Sequence, residues 1–235
     1  MPIFHIDSAS VSGNQIIITD ENLLHRLKNV RRVGVKERVF FFKEHTCFET
    51  AVDSIEKSRL LCTIQNDSFV QLPHPSITLI NAVIDKEPME TIIRLNVPYY
   101  VEEFSFFRAS RSNFALQEKT ISRLRALSLS VAEQSEVCFV PSVREYNSIQ
   151  GALYNNHYDS IVVLNPYSEV ALLNVVSSLK QSKNIGVVVG PEGGFTEDEL
   201  DLLEQKKAVK VKLNSGIYRS EFAGFAISSL LRELL

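Results

Sequence analysis

Cysteine is scarce here and follows no pairing pattern. Three occur in 235 residues, Cys47, Cys62 and Cys138, and none stands in a C-x-x-C. Their spacing supports neither a zinc site nor a disulfide framework, so all three are expected to be small buried hydrophobes in a reducing compartment. No metal-ligand cluster is evident, and no metal is expected. The first seven residues, Met1-Pro2-Ile3-Phe4-His5-Ile6-Asp7, lack a basic n-region and a long apolar run, unlike a signal peptide. No apolar stretch approaches the length of a transmembrane helix. A cytoplasmic protein with no membrane partner is the resulting expectation. A global basic field is missing too. The 25 Lys and Arg stand against 28 Asp and Glu, a net charge of −3, so a nucleic-acid partner would need a local patch. Internal repeats and low-complexity segments are absent. The remaining 45% hydrophobic and 23% charged content is that of an ordinary globular protein. Its length suits one large domain, or one small and one medium.

Residues 1–72 are mostly β in pattern. Short β-rich runs at 16–18, 38–42, 48–52 and 60–64 are divided by polar turns. One helix interrupts them, with Asp20 as N-cap, an apolar stripe of Leu23, Leu24, Leu27 and Val30, and Gly34 just past the end. A small barrel of about five strands with one helix fits. Away from that stripe, six basic residues (Arg26, Lys28, Arg31, Arg32, Lys36, Arg38) meet one acid, Glu37, and His25 adjoins them. They form either a solvated helix face or a patch that contacts phosphates through counterion release.

Leu72-Pro73-His74-Pro75 suits an extended linker, and after it the period changes. Strands are expected at 77–84, from 99 towards 107, at 137–140, 160–164, 187–189 and 209–213. Helices are expected at 89–95, 113–134, 148–155, from Ser168 to about 181, from Thr196, and from Ser220 to 234. Strands alternating with helices give a mostly parallel sheet covered on both faces. Ligands of such sheets sit outside the carboxyl ends of the strands.

One strand end is unusual. Val187-Val188-Val189 runs into Gly190-Pro191-Glu192-Gly193-Gly194-Phe195, and Thr196 with Glu199 then makes a capping box. The loop is neither G-x-x-x-x-G-K-[ST] nor G-x-G-x-x-G. Glu192, Glu197, Asp198, Glu199 and Asp201 would also repel a pyrophosphate from this helix start. A neutral or cationic ligand held by backbone groups fits better, and a tight turn with no ligand is the plainer alternative. The missing fingerprint disfavours a nicotinamide oxidoreductase.

Three segments in order carry a resemblance: Val131-Ala132-Glu133-Gln134-Ser135, Gly190-Pro191-Glu192-Gly193-Gly194-Phe195, and Leu213-Asn214-Ser215-Gly216-Ile217-Tyr218-Arg219-Ser220-Glu221-Phe222-Ala223. Together they resemble the RsmE family of ribosomal RNA methyltransferases, which transfer a methyl group from S-adenosylmethionine to N3 of a uridine in small-subunit RNA. The resemblance implies an α/β fold: a PUA-like β-barrel over 1–72 that binds RNA, and over 73–235 a SPOUT-type parallel sheet with a C-terminal trefoil knot. It also implies homodimers, and a ribosomal RNA or small-subunit partner.

In that family the loops after the last three strands enclose S-adenosylmethionine. By position this implies Leu164, then Gly190, Pro191, Glu192, Gly193 and Gly194, then Leu213, Asn214, Ser215 and Ile217. Arg219 and Glu221 fall on the family's L-R-T-E-T-A motif and are the implied catalytic pair, Arg219 stabilising the uridine anion. RNA contacts fall to His25, Arg26, Lys28, Arg31, Arg32 and Arg111, with Arg108, Lys119, Arg123 and Arg125 extending the patch or simply solvating a helix. The chain departs from the family at Asn214, where glycine is usual and a left-handed backbone is tolerable. It departs again at Gly216, at Phe222, at Glu136-Val137, and in a helix over 89–97 that is about one turn short. A non-catalytic RNA-binding or assembly factor that keeps the fold is the alternative. The last helix, with Ala223, Gly224, Ala226, Ile227, Leu230, Leu231 and Leu234, suits either core packing or a dimer face.

Overall fold

The β-rich runs before residue 70 pair into one sheet. The computed structural model describes residues 3–7, 10–114 and 117–235. Their contacts divide the chain into two units, Met1–Gln71 with Ala132–Phe139, and Leu72–Val131 with Val140–Leu235. In the first unit the strands are β1 (Ile3–His5), β2 (Val11–Ser12), β3 (Gln15–Ile18), β4 (Arg38–Lys43), β5 (Thr46–Ile55) and β6 (Leu60–Phe69). They lie in the order β1-β4-β5-β6-β3-β2. β1 joins β4 in parallel, and the other pairs are antiparallel. Register shifts at Glu49/Thr50 and Val52/Ser54 bend the long β5–β6 pair, as bulges do, and the sheet curls. Its inner face buries Ile16, Ile18, Val39, Phe41, Val52, Leu60 and Cys62 against Leu23, Leu24 and Leu27.

Helix α1 (Glu21–His25) starts where Asp20 Oδ1 accepts the Leu23 N–H at 2.7 Å. It then widens into a π turn, Arg26–Val30, closed by Arg31 N–H on the Arg26 carbonyl. The wider turn takes Val30 off the apolar stripe; it is 70% exposed rather than core. Two further expectations fail in Ala132–Phe139. Residues 137–140 form no strand, although Val137, Cys138 and Phe139 are buried. Cys138 is joined to Cys47 by a disulfide, their Cα atoms 6.0 Å apart. The bond spans 91 residues of sequence, so no local spacing could reveal it. Cys62 alone remains a free, buried thiol.

The second unit holds β7 (Ser76–Ala82), β8 (Val101–Phe107), β9 (Ser142–Tyr146), β10 (Ser160–Leu164), β11 (Asn184–Val189) and β12 (Val209–Val211). The order is β12-β10-β11-β7-β8-β9, and every pair is parallel. Helices α2 (Lys86–Asn96), α3 (Glu118–Gln134), α4 (Ile149–Tyr154), α5 (Val176–Leu179) and α6 (Glu197–Gln205) connect the strands, and α7 (Ser220–Leu234) follows the last one. The central strands are near-continuous Ile, Leu and Val because both faces are covered. Ile80, Val163 and Val188 pack with Ile149, Leu153 and Leu203 of α4 and α6. Against Leu79, α7 comes so close that a Cβ on Gly224 would lie 3.0 Å from Leu79 Cδ2. Ala223, Gly224, Ile227 and Leu231 therefore face the core, while Leu230 stays 42% exposed.

Two expected helices are shorter than their patterns. α3 begins at Glu118 rather than 113; residues 115–116 of that expectation lie outside the described residues. Between 168 and 181 only a 3-10 turn, Leu172–Asn174, and the four-residue α5 form. Ser168 caps neither. Its hydroxyl donates to the Lys210 carbonyl at 2.9 Å and accepts the Val170 N–H, which ties this segment to β12. Among the described residues no helix is long and apolar enough to cross a membrane.

Candidate functional site

Strand order places β12, β10 and β11 side by side, with β7 next, so their carboxyl ends share one edge of the sheet. The loop leaving β11 is shaped by its glycines. A Cβ on Gly190 would stand 2.9 Å from the Phe195 ring, and Gly194 sits at φ +70°, where a side chain is strained. Gly194 N–H closes the turn on the Pro191 carbonyl at 2.9 Å. The capping box forms as expected: Glu199 Oε2 accepts the Thr196 N–H at 2.9 Å, and Thr196 Oγ1 accepts the Glu199 N–H. Glu199 is buried and does more than cap, because its Oε1 accepts the Ser110 N–H at 2.8 Å.

That bond draws the segment after β8 to the glycine loop, and Arg111 follows. Its guanidinium donates to the Gly193 carbonyl at 2.9 Å. Arg111, expected beside RNA, thus lies against the loop expected to hold the methyl donor. From the other side, Ser220 Oγ at the start of α7 donates to the Gly190 carbonyl at 3.0 Å. One residue earlier, Arg219 is two-thirds exposed between two carboxylates, 3.7 Å from Glu192 and 3.2 Å from the buried Glu221. The structure therefore brings together Gly190, Glu192, Gly193, Arg111, Arg219 and Glu221.

The loop after β12 points elsewhere. Leu213, Asn214 and Ser215 line an apolar cavity of about 670 Å³ with Leu172, Leu173, Tyr218 and Phe222, and neither Leu164 nor the glycine loop reaches it. Ile217 is 71% exposed. Asn214 has no positive φ, so the left-handed tolerance invoked for it is unused.

Exposed Glu192, Glu197 and Asp198 around the glycine loop make its surroundings acidic. A cation such as a sulfonium fits that field, and the glycines leave backbone room for a close approach; a phosphate fits neither. Among the described residues no group of three or more His, Cys, Asp or Glu could hold a metal ion.

The basic segment of the first unit divides into held and open residues. Arg26 forms a two-pronged ion pair with Glu133, which is 6% exposed, and lies over the Phe4 ring. Glu133 also accepts the His5 N–H at 3.1 Å, so the Glu-Gln-Ser motif acts as an anchor for β1 and α1. Lys28 donates to the Glu56 and Lys57 carbonyls, Arg31 stands 3.9 Å from Glu37, and Arg38 is 2.9 Å from Glu49. His25, Arg32 and Lys36 are exposed, and none has an ion pair among the described residues. In the second basic stretch Arg123 pairs with Glu90 at 2.5 Å, and Arg125 lies 3.8 Å from Glu118.

Sequence reasoning missed Asn81 altogether. It is a fully buried amide at the end of β7 whose Nδ2 reaches Ser220 Oγ at 3.3 Å. The available signal was a carboxamide in a mostly apolar strand, which is costly to bury unless it serves a partner.

Comparison with known proteins follows the same geography. A family model described as an RNA methyltransferase domain matches residues 71–232. Ribosomal RNA small subunit methyltransferase E of Rickettsia conorii is 26% identical over 98% of this chain and 94% of its own. The protein of that name from Bacillus subtilis is 28% identical, over 91% and 88%. Among solved structures, a Ribosomal RNA small subunit methyltransferase E from Neisseria gonorrhoeae bound to S-adenosyl methionine superimposes with a TM-score of 0.86. It is 23% identical and covers 100% of this chain and 98% of that one.

Proposed function

Because the chain belongs to the RNA methyltransferase domain family, we propose that it is a methyltransferase that moves a methyl group from S-adenosylmethionine to N3 of a uridine in small-subunit (16S) ribosomal RNA. The observation that carries this reading is the meeting of the glycine loop, Arg111 and the Arg219–Glu221 pair at the carboxyl edge of the parallel sheet. Bound S-adenosylmethionine supplies the methyl group. Leu164 and Gly190 to Gly194 would hold it, and the acidic surroundings favour its positive charge. Glu221 orients the Arg219 guanidinium, and Arg219 stabilises the uridine anion as N3 loses its proton. Glu192 competes for Arg219 until substrate enters; both side chains are exposed, so that contact is weak.

Residues 1–72 would form the PUA-like barrel that binds RNA, with His25, Arg32 and the exposed edges of Lys28 and Arg31 on phosphates. Residues 73–235 would be the SPOUT domain with its trefoil knot. The exposed apolar side chains Leu173, Tyr218, Phe222 and Leu230 around the 670 Å³ cavity support a homodimer. A ribosomal RNA substrate supports a cytoplasmic location, and no metal is required for the transfer.

Calorimetry with S-adenosylmethionine, followed by mapping of modified uridines with and without the protein, tests the reading. Donor binding and one protein-dependent N3-methyluridine are expected. RNA binding with no donor affinity would instead indicate an assembly factor that keeps only the fold.

A further inference from the structure

Asn81 is out of place on stability grounds. It occupies a strand that is otherwise Ser, Ile, Thr, Leu and Ala, it is 1% exposed, and its Oδ1 is buried with no hydrogen-bond partner among the described residues. An unpaired buried carbonyl oxygen is a cost that an apolar side chain of the same size would avoid. The other end of the amide is fully used. Nδ2 donates to the Ala82 carbonyl at 2.8 Å and to Ser220 Oγ at 3.3 Å, and the Ser220 hydroxyl in turn donates to the Gly190 carbonyl at 3.0 Å. The amide has to point its NH2 group this way, because Ser220 Oγ is already spent as a donor on Gly190. This orientation strands Oδ1.

The chain of bonds runs between two parts of the site that share no covalent neighbour. Gly190 opens the glycine loop, and Ser220 lies between Arg219 and Glu221. β7 and β11 are the adjacent central strands, with Asn81 level with Val189, so the relay starts from the middle of the sheet. We propose that Asn81 is a positioning residue: through Ser220 it sets the spacing between the glycine loop and the Arg219–Glu221 pair. The proposal rests on the methyltransferase reading above. It assigns Asn81 no contact with donor or RNA.

The relay should matter for turnover more than for donor affinity. The glycine loop keeps its other supports when the relay is cut: Phe195 against Gly190, Arg111 on the Gly193 carbonyl, and the turn closed by Gly194. What it loses is its fixed distance to Arg219, and a misplacement of about 1 Å can slow a reaction by about a hundredfold, so a smaller shift is read as about tenfold.

The test compares Asn81→Leu, Ser220→Ala and the double variant in the full chain. It measures methyl transfer from labelled S-adenosylmethionine to unmethylated small ribosomal subunits, donor dissociation constants by calorimetry, and melting temperature. Each single variant should lose about tenfold in kcat, with the donor dissociation constant raised no more than about threefold. The double variant should be no slower than the slower single, because both cut one relay. Asn81→Leu should melt at or above the wild-type temperature, since it removes the stranded oxygen. A purely structural Asn81 would do the opposite, lowering the melting temperature and leaving kcat per folded molecule unchanged, and that result would overturn the proposal. So would multiplicative losses in the double variant, or kcat within twofold of wild type in both singles. If Asn81→Leu does not fold, Ser220→Ala carries the same kinetic prediction. A wild-type protein that binds no S-adenosylmethionine refutes the methyltransferase reading itself, before any variant is compared.

Discussion

Arg26 and Arg32 are neighbours in one basic segment, yet the structure gives them opposite surroundings. Arg26 is spent on Glu133, and Arg32 is exposed with no ion pair among the described residues. Arg26→Ala leaves a carboxylate that is 6% exposed, with the His5 N–H as its remaining partner among the described residues. Stranding a buried charge costs about 3–5 kcal/mol. Arg26 itself is 44% exposed, so water screens the pair and can enter the vacated space, which lowers the figure to about 2 kcal/mol. For a chain of 235 residues that corresponds to a fall of roughly 4–8 °C in melting temperature. Arg32→Gln breaks no such bond and should stay within about 0.5 kcal/mol of wild type. The order reverses for RNA. Arg32→Gln should weaken binding and reduce the slope of log affinity against log salt by about one, while folded Arg26→Ala leaves the slope unchanged. Thermal melts and filter binding over 50–200 mM salt read both quantities. An Arg26→Ala protein that melts normally and loses a unit of salt slope would refute the division of labour.

Three further outcomes follow from the site and the cysteines. Arg219→Ala should bind S-adenosylmethionine within about threefold of wild type and lose methyl transfer by at least a hundredfold, because charge develops only in the transition state; unchanged turnover removes Arg219 from the chemistry. Gly190→Ala must push the Phe195 ring aside and should weaken donor binding by about tenfold; calorimetry at unchanged melting temperature checks this, and wild-type affinity would show that the loop is not the donor wall. Thiol titration of the denatured chain should release one group without reductant, Cys62, and three with it, whereas three in both would disprove the Cys47–Cys138 bond. In the native chain Cys62 should resist alkylation at pH 8, since burial pushes its thiol up to about 11 and leaves it protonated.

The legible parts of the fold were those governed by local rules. The runs that became β3, β4, β7, β10 and β11 carry a β-branched or aromatic pattern that no helix would bury, and Asp20, Ser148 and Thr196 each cap the helix they precede. The failures came from long-range partners. Val137 to Phe139 look like a strand because they are apolar, but the first unit buries them and Cys138 bonds to Cys47. The stretch 168–181 looks helical, yet Val170 and Ala171 pair with Lys212 instead, and a backbone committed to a neighbouring strand cannot also close helical turns.

The same distinction governs the site. Glycines, caps and charges are visible in a sequence because each acts through its own backbone or its own field, and they located the loop at 190–194. What a side chain is bonded to is not visible, and here it redistributes the roles. Arg111 and Arg26 are both basic and both were expected to meet RNA, but a carbonyl claims one and a buried carboxylate the other. Glu133 and Glu199 both sit in recognisable motifs, and each turns out to hold a distant backbone N–H, of His5 and of Ser110. An acid buried at 4% or 7% exposure must have such partners, since the ionised group is otherwise too costly to bury. The bonds a charge makes, not its residue type, thus separate Arg111 on the Gly193 carbonyl and Arg26 on Glu133 from a charge left open. By that criterion Arg219, two-thirds exposed and oriented by the buried Glu221 rather than by a backbone carbonyl, is the basic residue at the glycine loop that we propose meets the uridine.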